Sequence, residues 1–222
     1  MKEYNKPYII LSAAMTIDGK IATKNGDSEL SDEADWKEVH KLRTQVDAIL
    51  VGKGTILKDD PKLHIKYYDH DGYHRIVFDS NLSIPLDAQV INFKPEIYPT
   101  IICTTVKASI EKIRKLKSKN VKVLQVGINQ VDLKQVLSIL YDSGFKTILL
   151  EGGGNLNWSF VKKNLVDEIR LTIAPRMIGG KDATSLVEGQ GFGKITESPR
   201  YELLEVKSRD DYVILKYKRI IK

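Results

Sequence analysis

Short apolar runs rich in β-branched residues recur along the chain, at Tyr8–Leu11, Ala48–Val51, Ile76–Phe78, Thr100–Cys103, Val121–Val126, Thr147–Leu150 and Glu168–Ile173, and each predicts a strand. Between several of them the apolar period lengthens to three or four, which predicts helices. Asp35–Gln45 brings Trp36, Val39, His40 and Leu42 near one face. Ser109–Lys119 does the same for Ile110, Ile113 and Leu116. Asp132–Ser143 opens on a capping residue and turns Val136, Leu137, Ile139 and Leu140 inward. Another helix is expected from about Leu156 to Lys163. Strands alternating with helices imply a parallel core with crossover connections. The alternation stops near the end of the chain. Tyr201–Val206 and Tyr212–Lys218 read as strands joined by the hairpin-length link Lys207–Asp211, so an antiparallel hairpin finishes the sheet. No repeat or flexible linker divides the 222 residues, and Gly189–Gly193 reads as a loop, so one domain over 1–222 is expected.

Three strand ends carry unusual residue choices. Thr147-Ile148-Leu149-Leu150 runs into Glu151-Gly152-Gly153-Gly154-Asn155 and then the helix, an order of strand, glycine turn and helix. Consecutive glycines allow close backbone approach and positive φ, and the helix start offers N–H groups to an anion. The glycines are not spaced as in a dinucleotide fingerprint, and glycine also serves simply to bend the chain. In Ala13-Ala14-Met15-Thr16-Ile17-Asp18-Gly19-Lys20-Ile21-Ala22, small residues run into an Asp-Gly turn. That is either room for a flat ligand or, the simpler reading, a tight hairpin between two packed strands. Val51 leads into Gly52-Lys53-Gly54-Thr55, read as a second turn, followed by Asp59-Asp60-Pro61. Its glycine spacing is not that of a P-loop.

Composition removes several function classes. With 42% hydrophobic and 29% charged residues the chain is ordinary and globular. The excess of 35 Lys and Arg over 29 Asp and Glu is scattered, and its densest run, Lys112 to Lys119, reads as the solvated face of a helix. No nucleic-acid partner is expected. Cys103 is single and sits in a predicted strand, which suits a reducing cytoplasm. The start, Met1–Pro7, has no signal-like apolar core and no run approaches a membrane span, so a soluble cytoplasmic protein is expected. His40, His64, His70 and His74 lack metal-ligand spacing, no nucleophile elbow is present, and no metal is expected.

In order along the chain, Thr16–Ala22, Val51–Thr55 with Asp59-Asp60-Pro61-Lys62-Leu63, Arg75-Ile76-Val77-Phe78-Asp79-Ser80 and Glu151–Gly154 closely resemble the riboflavin-pathway pyrimidine reductases. The resemblance runs from Pro7 to the C-terminal strands. It implies an α/β, dihydrofolate-reductase-like fold, a mixed and mostly parallel sheet flanked by helices with a C-terminal antiparallel hairpin. It also implies hydride transfer from NADPH, or NADH, to C1′ of a phosphoribosylamino-pyrimidine. The 222 residues leave no room for the zinc deaminase that bacterial relatives carry, and its signatures are absent. The stand-alone type is therefore expected, acting on 2,5-diamino-6-(ribosylamino)-4(3H)-pyrimidinone 5′-phosphate, with 5-amino-6-(5-phosphoribosylamino)uracil as the alternative. Dihydrofolate reduction and non-catalytic nucleotide or RNA binding are the rival functions.

The resemblance assigns cofactor contacts to Ala14, Thr55, Asp59, Ser80, Asn81, Leu82, Ser83, Gly127, Gly153, Gly154, Asn155 and Leu156. It assigns substrate contacts to Ser28, Arg43, Leu63, Lys66 and Glu151. Arg43 and Lys66 suit the ribose phosphate, and Asp59 and Glu151 are the candidate catalytic groups, for positioning or proton donation. A homodimer is implied. Two departures matter: Ser12 stands where the bifunctional relatives carry a lysine, and Lys66 where arginine is commoner.

Overall fold

A computed structural model describes residues 5–220; Met1–Tyr4, part of the stretch scanned for a targeting signal, lies outside the described residues. The elements are β1 (Tyr8–Thr16), β2 (Lys20–Ala22), α1 (Glu33–Arg43), β3 (Ala48–Gly52), α2 (Lys53–Asp59), β4 (His74–Phe78), α3 (Gln89–Asn92), β5 (Thr100–Thr104) and α4 (Ile110–Lys117). They continue with β6 (Lys122–Gln125), α5 (Leu133–Asp142), β7 (Thr147–Gly152), α6 (Gly154–Lys162), β8 (Glu168–Ala174), β9 (Thr184–Ser185), β10 (Tyr201–Arg209) and β11 (Tyr212–Arg219). The described residues form two compact units, one of residues 5–7 with His40–Leu149 and one of Tyr8–Val39 with residues 150–220.

In the first unit the strand order is β7-β3-β4-β5-β6, with β3, β4, β5 and β6 paired in parallel. Parallel strands are covered on both faces, which is why they read as continuous apolar runs rather than alternating ones. Ile49, Leu50, Ile76, Val77 and Ile102 are fully buried, and each such side chain contributes about 1.5–3 kcal/mol relative to exposure. Asp132 caps α5 by accepting from Lys134 N and Gln135 N, and Ser109 caps α4 by accepting from Lys112 N. The lysine-rich side of α4 faces solvent, as its period implied, although Ile110 is exposed too.

The second unit carries the mixed part of the sheet, in the order β10-β11-β8-β1. β1 and β8 are parallel, β11 is antiparallel to β8, and β10 closes the C-terminal hairpin against β11.

Some expectations fail locally. Gly52–Thr55 is not a turn: from Lys53 the chain winds into α2, held by burial of Ile56 and closed by Asp60, whose N–H donates to Ile56 O at φ 38°. The Asp-Gly turn is tight, with Gly19 at φ 78°, but β2 does not fold back as a hairpin strand on β1; it pairs with β9 in a separate small sheet. The short α3 has no apolar period long enough to announce it. On α1, Trp36 faces solvent while Asp35, His40 and Arg43 are buried, because polar groups with buried partners occupy part of its inner stripe.

Candidate functional site

In the first unit the loops at the C-terminal ends of the parallel strands carry most of the expected cofactor residues, the edge where open α/β sheets bind ligands. After β3, Thr55 and Asp59 lie one turn apart on α2 and so share a side of it. Gly54 is exposed, and a Cβ built there meets nothing within 4 Å, so nothing in the fold itself demands glycine at that point. Asp59 is solvent-exposed, yet neighbouring protein withholds enough water to raise its carboxyl above the ordinary range, against the lowering pull of Lys58. Asp60 does a different job: its carboxylate accepts from Gln89 N at the start of α3, 2.8 Å away, and its carbonyl accepts from the Gln89 amide.

After β4, the buried Asp79 shapes the loop that follows. Its carboxylate accepts from Asn81 N, Ser83 Oγ and Ile84 N. The Ser80 carbonyl accepts from the hydroxyls of Thr104 and Thr105 at the end of β5. Leu82 is 2% exposed at φ 52°, so its side chain belongs to the core and only its backbone can meet a cofactor. Gly127, just after β6, is required by the fold. It has φ 91°, and a Cβ would lie 2.1 Å from the Gln130 carbonyl oxygen.

The expected substrate residues of this unit meet at one segment. Residues 62 to 66 have no regular secondary structure, yet five side chains hold them. Arg75, fully buried, donates to Lys62 O; Tyr73 OH donates to Leu63 O; Arg43 donates to His64 O at 2.8 Å. Ile65 N donates to Tyr98 OH, and Lys66 N donates to His40 Nδ1 at 2.8 Å. Leu63 and Ile65 turn inward and are buried, whereas Lys62 and Lys66 are exposed and His64 is half-buried between them. Arg43 is therefore not a loose surface cation but a buried one that fixes the segment carrying Lys66.

In the second unit the motif Thr16–Lys20 is a knot of hydrogen bonds. Thr16 Oγ1 donates to Asp18 and accepts from Lys20 N, and Asp18 also accepts from Ile178 N and Gly179 N. These donors hold the Asp18 carboxyl down at about 2. Lys20 Nζ reaches Ala183 O and Ser185 Oγ, so the turn anchors the segment after β8.

That segment in turn packs on the glycine turn. Gly153 is the N-cap of α6, which starts at Gly154 rather than Leu156. Gly152 has φ 84°, and the peptide joining it to Gly153 is cis. A Cβ on Gly154 would lie 2.5 Å from both Ser185 O and Glu188 Cγ, and Glu188 N donates to Gly154 O. The missing side chain of Gly154 thus makes room for the protein's own chain. Buried Asn157 donates to Leu186 O and completes the attachment. The half-buried Gly153, the exposed Asn155 and the half-buried Leu156 stand around the helix start, with the half-buried Glu151 at the end of β7. Ala14 is half-buried on β1, paired with Thr172, and Ser28 is exposed in the stretch before α1.

Gly54 and His64, which the sequence did not single out as site residues, stand beside Thr55 and between Lys62 and Lys66; the first is signalled by a glycine next to Thr55, the second only by its neighbours in space. Among the described residues no group of three His, Cys, Asp or Glu side chains could hold a metal ion, and no helix is long and apolar enough to cross a membrane.

The parallel strands and the antiparallel C-terminal hairpin define an α/β protein of the dihydrofolate-reductase-like, mostly parallel class. The family model described as the RibD C-terminal domain matches residues 7–215, and the chain belongs to that family. It is 40% identical to the 2,5-diamino-6-ribosylamino-4(3H)-pyrimidinone 5′-phosphate reductase of Methanothermobacter thermautotrophicus, over 96% of this chain and 98% of the relative. It is 38% identical to the Aquifex aeolicus protein of the same name, over 94% and 92%. Among solved structures, Acinetobacter baumannii RibD matches with a TM-score of 0.81 at 23% identity, covering 97% of this chain, which spans 58% of that one. The riboflavin biosynthesis reductase Rib7 of Saccharomyces cerevisiae matches at 0.74 and 22%, covering 99% and 93%.

Proposed function

We propose that this chain is an NADPH-dependent reductase that converts the ribosylamino group of 2,5-diamino-6-(ribosylamino)-4(3H)-pyrimidinone 5′-phosphate to ribitylamino in riboflavin biosynthesis, acting in the cytoplasm. The observation that carries the reading is the fixed basic segment 62–66, since a phosphorylated sugar needs cationic donors and a pterin does not. The names of the two near-full-length relatives support the substrate.

A reduced nicotinamide supplies the hydride. The protein's part is to position the reactants, exclude water and manage one proton. Thr55 and Asp59 on one side of α2, the loop Ser80–Ser83, Gly127 and the start of α6 are our cofactor contacts, and the open space over Gly54 suits close approach. Ala14 stands beside the nicotinamide. Ser28, Arg43, Leu63, Lys66 and Glu151 address the substrate, Leu63 through its backbone because its side chain is buried. Asp59, with its raised pKa, is a better proton donor than an ordinary carboxylate, because more of it is protonated near neutral pH.

We further read residues 1–222 as one reductase domain, supported by a single family model that spans 7–215 without a break. We also infer a homodimer. On one face of the C-terminal hairpin Leu203, Val206 and Val213 are exposed side by side, an apolar patch suited to a second copy. Sedimentation of the parent and of Val206→Lys tests this, and an unchanged dimer in the variant would remove that face.

The main test follows NADPH and NADH oxidation with the diaminopyrimidinone, its uracil analogue and dihydrofolate supplied separately. Preferred turnover of the diaminopyrimidinone with NADPH is expected. Preference for either other compound would overturn the substrate, and no oxidation with any of them would overturn the function.

A further inference from the structure

We propose that His64 is an additional contact for the substrate phosphate and takes up a proton as the dianion binds. The inference rests on the reading of 62–66 as the phosphate segment and extends it. His64 shares the outward side of that segment with Lys62 and Lys66, and its own carbonyl is bonded to Arg43, so its backbone is fixed beside the guanidinium. Its ring lies edge-on to Phe93, 5.3 Å between centroids, and edge-on to His40 at 6.1 Å. Neither ring nitrogen is bonded to a described residue and neither is a buried, water-excluded atom, so both are open to a ligand arriving from the solvent side.

The main charges acting on the ring are cations. Burial first, then Arg43, Lys62, Lys94 and Lys66, push the His64 imidazole below its ordinary range. Without an anion the ring is therefore neutral near pH 7. A phosphate dianion placed among these cations reverses the local field, so the charged imidazolium becomes favoured and can donate to a phosphate oxygen. The proton comes from solvent and stays on the ring until the phosphate leaves. The other imidazole in the cluster cannot do this. His40 is 5% exposed, already accepts from Lys66 N, and is held near 4 by burial, Arg43, His64 and Lys66.

The linkage has a definite sign. Free His64 has the lower pKa and bound His64 the higher, so binding consumes protons between the two values and affinity rises as pH falls through that window. The phosphate adds a proton term of its own near its second pKa of about 6, and a variant without the imidazole subtracts it.

The test is calorimetric titration of the diaminopyrimidinone phosphate into the full chain at about pH 7, in two buffers of different ionisation enthalpy. NADPH oxidation is followed on the same preparations. The parent should take up more protons than His64→Gln. That variant should bind substrate about tenfold more weakly at about pH 6 and keep its NADPH affinity. His64→Lys, a permanent cation, should recover most of the affinity with no extra proton uptake, an outcome a merely structural role for His64 would not give. Equal proton uptake in parent and His64→Gln, with turnover intact, would overturn the inference and leave the function standing. Neither turnover nor binding in the parent would overturn both.

Discussion

Gly154→Ala separates the two explanations of the glycine turn, and its expected cost follows from the contacts a methyl group would make there. At an ordinary helical position glycine to alanine stabilises by up to about 1 kcal/mol. At Gly154 the new methyl would sit 2.5 Å from Ser185 O and from Glu188 Cγ. The Glu188 side chain can swing aside, but the Ser185 carbonyl is backbone and must retreat by roughly 1 Å to reach an ordinary contact. Two hydrogen bonds cross the same joint, Glu188 N to Gly154 O at 3.1 Å and Asn157 Nδ2 to Leu186 O at 2.8 Å. Overpacking of this kind costs about 1–3 kcal/mol, and weakening two hydrogen bonds adds roughly 0.5–1.5 kcal/mol each, so the helix gain is outweighed. A net loss of about 2–4 kcal/mol is expected, a fall of roughly 5–15 °C in Tm for a chain of this size. Urea and thermal unfolding measure it, with NADPH titrated in parallel. If Gly154→Ala is as stable as the parent but binds NADPH much more weakly, the glycine serves the ligand and the packing argument is wrong.

Three further outcomes are expected. His40 is held near 4 against an ordinary 6.5, so the unfolded chain binds a proton that the folded chain refuses. Its contribution is complete above pH 6.5, and about 3 kcal/mol of it is lost as pH falls towards 4. His40→Gln, which keeps an acceptor for Lys66 N, should flatten the fall in urea midpoint over that window, and an unchanged slope would contradict the assignment. Lys66→Ala should raise the KM for the pyrimidine phosphate by about 10-fold or more while leaving that for NADPH unchanged, and equal losses for both ligands would defeat the phosphate role. Cys103 is fully buried in β5 with its thiol pushed far up by desolvation, so iodoacetamide should label it only after unfolding, and rapid native labelling would refute that placement.

Much of the fold is legible because parallel strands buried on both faces leave near-continuous apolar runs, and helices with one inner face leave a period of three to four. β3, β5, β7 and α5 fall where those signals stand, and Asp132 announces the start of its helix by capping chemistry that is local in sequence. Elements stabilised from a distance left no such trace. α2 contains a glycine and a single buried residue, and β2 finds its partner in β9, more than 160 residues away.

The sequence by itself determined the alternation of strand and helix, the antiparallel ending and, through four motifs at the right intervals, the family to which the chain belongs. Motifs locate residues but do not say what each side chain touches. Only the tertiary structure decided that Arg43 is buried and holds the backbone of His64, that Gly154 makes room for Ser185, and that Lys62, His64 and Lys66 share one side of a segment without regular structure. The physical reason is that a strand or helix satisfies its backbone locally, and so its period appears in the sequence. The segment 62–66 is instead fixed by hydrogen bonds from Arg43, His40, Tyr73, Arg75 and Tyr98, whose positions become neighbours only once the chain has folded.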